Sequence, residues 1–539
     1  MKKALILASF VAGVALSVGF DSVVTSKSEP GRPVRMVDQG AEWTAVRRND
    51  YYTKGQGVQN IPASWLTALH GTDGRPFLHD KLERYGFLPI EGRELPLGLA
   101  LERDRNSAVL YAGFTCSACH TRQLEVGTEK YRIDGGPSLT NFEHYTKDLI
   151  AAVDATVTDP RKFDRFLDRA TRASAANREP PEARDRKALR ASVLAWVSLN
   201  KEFYALSIPG KDTWGVGRMD ALGQIANRFA AIAISPTPGA LIKGNIKPAE
   251  RPVRFPFMWN VAKQDYTQWR GSHTNGNDME ALGRNVVQVM GVGVDYGPVP
   301  DASKPNGVDY LKRNTTDFEA LDSIESLIAR IGPPKWPWGV NQNLLQEGAR
   351  LYAANCGSCH AVKPGQPRPP VNDTWATPIV NVGTDPSYYD NLNHPVEPGL
   401  MNSLYPAKVN VFKMISDYSK NMLMQYRPGI RFIEPTQPYE PGAYESRVLQ
   451  GIWAAAPYLH NGSVPTLEDL LKPAAERPVS FLMGVRYDTA RVGLSADQPA
   501  RTGYAYDTRV KGNGNAGHEY GADLNPRQKS ALLEYLKTL

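Results

Sequence analysis

The cysteines of this chain occur in two short motifs, and each motif ends in a histidine. All four cysteines of the 539-residue chain lie in the stretches CSACH and CGSCH, which begin at Cys116 and Cys356. Each motif places a histidine, His120 or His360, directly after its second cysteine. A disulfide, a redox-active dithiol or half of a zinc site would use the cysteine pair but leave the histidines unexplained.

Covalent attachment of a c-type haem accounts for every defining residue of both motifs. The two thiols of a motif add to the haem vinyl groups, and the histidine that follows binds the iron from the proximal side. The sequence therefore predicts two covalently bound haems. The residues assigned to the first haem are Cys116, Cys119 and His120, and those assigned to the second are Cys356, Cys359 and His360.

The segments around the motifs predict a mainly α fold with two cytochrome c-like haem domains, extended loops and an enlarged N-terminal domain. Apolar residues recur at helical spacing in NQNLLQEGARLYAANCGSCH, which predicts an amphipathic helix that ends at the second haem site. The stretch IGPPKWPWGV is rich in proline and glycine, and it predicts a linker at residues 333–340. We expect an N-terminal haem domain at 37–332 and a C-terminal cytochrome c domain at 341–539.

The N-terminus predicts export. Lys2 and Lys3 precede an uncharged stretch from Ala4 to Phe20, which has the length of the apolar core of a signal peptide with its flanks. We expect residues 1–25 to be a signal peptide, with an uncleaved single-helix anchor as the alternative. Either way the remainder lies in the periplasm, where bacteria attach c-type haem.

The composition is that of a water-soluble globular protein, with 42% hydrophobic and 22% charged residues. The formal net charge is +7, and the basic residues are scattered along the chain. This distribution gives no support for nucleic-acid binding. The sequence leaves the oligomeric state open.

Three further phrases carry a resemblance to a known family: RFPFMWNVAKQDYTQWRGS, GIWAAAPYLHNGSVPTLEDLL and GNGNAGHEYGADL. With the two haem motifs they resemble the bacterial dihaem cytochrome c peroxidase/MauG superfamily. Within it, the chain is most similar to the BthA-type dihaem enzymes and the related rubber oxygenases, from about residue 50 to the C-terminus. The resemblance implies a reactive N-terminal haem with an open axial position and a six-coordinate C-terminal haem that transfers electrons.

The second ligand of the C-terminal haem has more than one candidate. His518 lies in a glycine-rich loop and resembles the position that supplies a distal histidine in the rubber-oxygenase branch. His460, in APYLHNGS, is the alternative, and in the superfamily its counterpart is often a polar neighbour of the iron. A methionine ligand is the third option, from among Met401, Met414, Met422, Met424 and Met483.

The open side of the first haem is expected to be lined by the segment after FPFMWN. By resemblance to the smaller peroxidases, Trp269 in QWRGS lies between the haems, and Glu280 follows eleven residues later as the distal acid–base. Arg284 could stabilise charge that develops on the leaving oxygen. The alternative is a solvated helix face that carries Glu280 and Arg284 as an ordinary i,i+4 pair. Trp259 is a second candidate for the electron path, with core packing as its alternative.

These assignments favour a peroxidase-like enzyme that activates hydrogen peroxide at the His120 haem. The resemblance implies that both haems share the oxidising equivalents, in a state with both irons formally Fe(IV). The reductant would be a small electron-donor protein or an unknown protein or organic substrate. An oxygenase that cleaves an apolar substrate such as polyisoprene with O2 is one alternative, and a non-catalytic electron carrier is another. The family also admits a Ca2+ ion between the domains, although no ligand loop is recognisable.

Overall fold

The structure is a computed structural model, and the residues that it describes are 33–275, 278–365, 374–389, 394–430, 432, 440–499 and 503–539. The predicted signal peptide or anchor at residues 1–25 lies outside them. Residues Val34–Leu539 form one unit by their contacts. Within the described ranges, none of the helices combines the length and apolar character needed to cross a membrane.

Helices and short strands alternate along the chain. The helices are α1 Ala45–Thr53, α2 Ala63–Ala68, α3 Cys116–Cys119, α4 Phe142–Thr158, α5 Pro160–Ala176, α6 Arg186–Ser207, α7 Ala221–Arg228, α8 Asp278–Val292, α9 Phe318–Ile328, α10 Gln342–Asn355, α11 Gly357–His360, α12 Val411–Tyr426, α13 Leu467–Leu470 and α14 Pro526–Leu536. The strands are β1 Val34–Met36, β2 Ile61–Pro62, β3 Leu99–Arg103, β4 Leu110–Phe114, β5 Thr121–Val126, β6 Glu129–Asp134, β7 Arg218–Met219, β8 Val253–Arg254, β9 Tyr266–Thr267, β10 His273–Thr274, β11 Tyr296–Pro300, β12 Val308–Asn314, β13 Ile379–Asn381, β14 Pro395–Val396, β15 Val409–Asn410, β16 Ala443–Glu445, β17 Ser480–Met483, β18 Tyr487–Asp488, β19 Gly493–Leu494 and β20 Tyr504–Asp507.

The first haem motif lies between strands, so the fold is mixed and the expectation of a mainly α protein needs correction. Strand β4 ends just before the motif, and β5 begins directly after it. Two three-stranded sheets frame it, in the orders β2–β4–β3 and β1–β6–β5. These strands are short, and β1 pairs in parallel with the distant β6, so their sequences carry little of the alternation that identifies a strand.

The second haem motif follows a helix, as predicted. Helix α10 ends directly before Cys356 and packs against the C-terminal helix α14. Gly348 lies at this crossing, where an added Cβ atom would be 2.1 Å from the carbonyl oxygen of Ala531. Only glycine allows the two backbones to approach so closely. The contact between α10 and α14 therefore fixes the position of the second motif, which follows α10 directly.

The hydrophobic core is built from both sides of the predicted linker. One cluster of buried residues includes Trp259 together with Trp453 and Leu536. Within the linker range 333–340, Trp336 contacts Trp453 edge to face, with ring centroids 5.3 Å apart. The division into domains at 37–332 and 341–539 stays a prediction, and the linker itself is packed against the core.

Candidate haem sites

The second motif holds its histidine by a backbone hydrogen bond. The Nδ1 atom of His360, in α11, donates to the carbonyl oxygen of Arg447 at 2.7 Å. Burial lowers the pKa of His360, so the ring stays neutral, and neutral imidazole is the form that binds a metal. Because Nδ1 is engaged, the ring is fixed in the tautomer that leaves Nε2 free for an iron.

His518 lies opposite His360. The centroids of the two imidazole rings are 6.2 Å apart, with 48° between the ring planes. Two imidazole rings bound to one metal ion have an expected centroid separation of about 6.4 Å, from two metal–nitrogen bonds of about 2.0 Å and about 1.2 Å from each nitrogen to its ring centre. One iron ion therefore fits between the two rings.

The loop that carries His518 is fixed by the protein itself. The backbone N–H of His518 donates to the carbonyl oxygen of Val382 at 2.9 Å. The guanidinium group of Arg477 donates to the carbonyl oxygens of Asn515 at 2.6 Å, Gly517 at 2.7 Å and His518 at 3.0 Å. Burial lowers the pKa of the His518 ring to about 4, and its buried Nδ1 has no hydrogen-bond partner in the described part of the chain.

The cavity around these two histidines fits a haem. It encloses about 1250 Å³, counting the space open to solvent, and Cys356, Cys359, His360 and His518 contribute to its wall. Arg254 also lines the cavity, and its buried Nη1 has no partner within the described ranges, so a haem propionate would satisfy it.

His460, the alternative ligand, forms part of the cavity wall. Its ring is stacked on Tyr444, with centroids 3.8 Å apart and 15° between the planes. It also contacts Trp269 at 6.5 Å, and burial lowers its pKa to about 3. The geometry thus places His518 across from His360 and His460 in the cavity wall, and the identity of the second ligand stays a prediction. The methionines considered as alternatives lie outside the described lining of the cavity.

The first motif uses the same device for its histidine. The Nδ1 atom of His120 donates to the carbonyl oxygen of Pro256 at 2.9 Å, and burial lowers the pKa of the ring to about 4. The hydroxyl of Tyr51 donates to the carbonyl oxygen of His120 at 2.8 Å, which anchors the backbone at the motif. Gln56 Nε2 lies 3.4 Å from the sulfur of Cys116. Both proximal histidines are therefore neutral and oriented by a main-chain acceptor.

The thiols do not behave as a redox pair or as zinc ligands. All four cysteines are free of disulfide bonds. Burial raises the pKa of Cys116 and of Cys356 to about 11, whereas redox-active dithiols need a lowered thiol pKa. Over the described ranges, no group of three or more His, Cys, Asp or Glu side chains could hold a metal ion, so the cysteine pairs do not form zinc sites there, and a Ca2+ ion between the domains stays a prediction.

The distal candidates of the first site are buried. Glu280 and Arg284, both on α8, are 6% and 5% exposed, so the solvated helix face is wrong. Arg284 Nη2 forms an ion pair with Glu325 Oε2 at 2.6 Å, across to α9. Burial and the hydrogen bond from Gln56 have the largest effects on the pKa of Cys116. The charge of Glu325 also raises this pKa and the charge of Arg284 lowers it, so this ion pair lies near the first motif.

Trp269 borders the second cavity. Its Nε1 donates to the carbonyl oxygen of Arg254 at 2.9 Å, and the guanidinium of Arg254 lies 4.7 Å from the centre of its ring. Trp259 is fully buried, stacks on Phe257 at 4.6 Å and donates to the carbonyl oxygen of Gln450 at 2.7 Å. Trp269 thus lies beside the second site, and its place on the electron path stays a prediction.

Three residues near the candidate sites were not predicted from the sequence. His273 precedes α8; its buried Nδ1 has no partner among the described residues, and burial, with the charges of Arg284 and Arg270, lowers its pKa to about 4. The histidine in QWRGSHTNGNDMEALGRN was a usable signal. Arg254 and Arg447 gave none, because only the fold brings them to the haem sites.

Comparisons with known proteins point to the same chemistry. The family model described as "RoxA-like, cytochrome c-like" matches residues 443–482, and the model of cytochrome c oxidase, cbb3-type, subunit III matches residues 343–398. The uncharacterized protein y4iJ of Sinorhizobium fredii is 29% identical over 572 residues, which cover 92% of each chain. The uncharacterized protein y4iM of the same organism is 29% identical over 311 residues, covering 53% of this chain and 64% of the relative. With the two Cys-x-x-Cys-His motifs, these matches identify cytochrome c-like domains in this chain, and such domains carry haem c.

Proposed function

We propose that the protein is a periplasmic dihaem c-type cytochrome with peroxidase-like activity, in which the His120 site is reactive and the His360 site transfers electrons. The inequality of the two sites carries the proposal. The ring centroid of His518 lies 6.2 Å from that of His360, whereas the ring that contacts His120 is that of Phe255, at 6.1 Å. An iron closed by two histidines transfers electrons with little rearrangement, and an open iron can take a small oxidant.

The residues on α8 supply the acid–base chemistry in this proposal. A haem bound at His120 supplies an iron at which hydrogen peroxide can be reduced. The Glu280 carboxylate accepts the proton of the incoming peroxide oxygen and returns it to the leaving oxygen. The guanidinium of Arg284, oriented by Glu325 at 2.6 Å, stabilises the negative charge that develops. The burial of both side chains supports this, because water does not screen them.

The electron path to the second site passes Trp269, whose ring lies in the wall of the second cavity. The donor of the electrons is a small redox protein or an unknown protein or organic substrate. Export to the periplasm is supported by the N-terminal sequence, and fractionation of cells that produce the full chain tests it.

A second candidate is an oxygenase for an apolar substrate, which the RoxA-like match at residues 443–482 favours. This segment contains His460 and Arg447, which border the second site, and it does not include α8. A buried carboxylate and guanidinium on α8 suit peroxide better than a hydrocarbon. For this reason the peroxidase-like activity ranks first.

Two measurements on the haem-loaded protein test the proposal. The ferric EPR spectrum is expected to contain one high-spin and one low-spin haem, and two low-spin haems would identify an electron carrier. The reaction with peroxide, followed by the Soret band, is expected to slow about 10²–10⁴-fold in Glu280→Gln. Glu319→Gln, an exposed glutamate on α9, is the control. Equal rates in both variants would overturn the role of Glu280, and O2 uptake with a polyisoprene emulsion would favour the oxygenase.

A further inference from the structure

A short chain of hydrogen bonds joins the two proximal histidines. His120 Nδ1 donates to the carbonyl oxygen of Pro256 at 2.9 Å, and Phe257 is the next residue in the chain. The carbonyl oxygen of Phe257 accepts a hydrogen bond from Arg447 Nη1 at 2.6 Å. The carbonyl oxygen of Arg447 in turn accepts from His360 Nδ1 at 2.7 Å. Arg447 thus accepts the hydrogen bond of His360 with its carbonyl oxygen and donates to Phe257, the residue that follows the acceptor of His120.

The guanidinium group of Arg447 is held in a single orientation. Gln264 Oε1 accepts from its Nε at 3.1 Å and from its Nη2 at 2.7 Å. The guanidinium carbon lies 4.1 Å from the centre of the Phe257 ring, and Glu445 Oε2 is 3.7 Å from Nε. Arg447 is 6% exposed, so its charge acts in a region of low dielectric. A planar fork of this kind can bridge two acceptors, which a lysine ammonium cannot do in the same geometry.

We infer that Arg447 is a positioning residue that couples the two proximal histidines and sets the reduction potentials of both haems. The hydrogen bond from a ligating histidine to its acceptor fixes the ring and tunes its basicity, and here both acceptors belong to one connected unit. The buried positive charge disfavours the ferric form of each haem, because ferric iron carries one more positive charge than ferrous iron. The inference rests on the proposed function only in requiring two bound haems.

The test is the pair of midpoint potentials in haem-loaded Arg447→Met. Both are expected to shift to lower values. Because Glu445 could bind a proton once the arginine is removed, the comparison is repeated in the Glu445→Gln background, where that compensation is absent. Arg218→Met is the matched control: Arg218 is also fully buried and donates to the carbonyl oxygen of Trp214 at 2.8 Å, but it does not line the cavity. It is expected to lower stability and to shift both potentials less than Arg447→Met does, because it makes no hydrogen bond on the path between the two histidines.

A second measurement distinguishes the coupling between the two haems from the effect of the Arg447 charge. In the wild-type protein, reducing one haem is expected to shift the EPR signal of the haem that stays ferric. Arg447→Lys keeps the charge and loses the fork, so its potentials should return toward those of the wild type while this shift diminishes. It also provides the test if Arg447→Met does not fold.

The outcomes are distinguishable from failure of the proposed function. A wild-type protein with fewer than two covalent haems, measured by pyridine haemochrome, contradicts the proposed function itself. With two haems bound, unchanged potentials in Arg447→Met overturn the inference. A shift at one haem alone overturns the coupling.

Discussion

Replacing His518 by alanine should open the second haem and leave its attachment intact. Cys356, Cys359 and His360 remain, so the haem stays covalently bound with its proximal ligand. The ring that lies 6.2 Å from His360 is removed, and water or no ligand takes its place. The low-spin ferric signal, which accounts for one of the two predicted haems, should convert to high spin. About half of the ferric iron therefore changes spin state.

The control is His460→Ala, which removes the same side chain from the same cavity. His460 is 4% exposed and stacked on Tyr444 at 3.8 Å, so its loss leaves a void in the wall. We expect a cost of about 2–5 kcal/mol in the free energy of unfolding, as for other large-to-small changes in a core. The spin state should not change. His518→Ala, on the loop held by Arg477, should show the opposite pattern, with a large spectroscopic effect and a smaller loss of stability.

EPR and thermal denaturation of the two haem-loaded variants give the readouts. Free imidazole added to His518→Ala should restore the low-spin signal, because the truncated side chain leaves room for it. His518→Met should keep a low-spin haem with a raised reduction potential. A full low-spin signal in His518→Ala, or its loss in His460→Ala, would refute the ligand assignment.

Three further changes test the fold and its charges. Gly348→Ala places a Cβ atom 2.1 Å from a carbonyl oxygen of α14, so we expect a loss of about 1–3 kcal/mol by denaturant unfolding, whereas Gly339→Ala, with open space around it, should be neutral. Burial raises the pKa of Glu445 from 4.5 to about 7, so its contribution to stability is full below pH 4.5 and is lost as the pH rises through 7. The loss is about 3 kcal/mol, and it should vanish in Glu445→Gln when unfolding is measured across this pH range. Glu325→Gln leaves the Arg284 charge buried without its partner, at an expected cost of about 3–5 kcal/mol in the same assay.

The features predicted best from the sequence are those encoded by residues that are close together in the chain. Each motif holds its two cysteines and its proximal histidine within five residues. The apolar residues of α10 recur at helical spacing, which predicts the helix. The sheets around the first motif were not predicted, because they pair short strands from distant segments, as β1 does with β6. The ion pair of Arg284 was missed for the same reason, since its partner lies on α9 and not four residues away on its own helix.

The two motifs alone do not show which haem site is reactive, because both proximal histidines donate to a backbone carbonyl in the same way. His120 and His360 use the same hydrogen bond, so the motifs contribute equivalent proximal sides. The difference arises on the distal side, from a loop in one case and a helix in the other. The loop is fixed by Arg477 through its bonds to main-chain carbonyls, which do not require a bound haem. A ligand held in place in advance changes little on reduction, which is the property an electron-transfer haem needs. In the proposed function, the first site is instead lined by buried side chains of α8, where Glu280 can accept and return a proton.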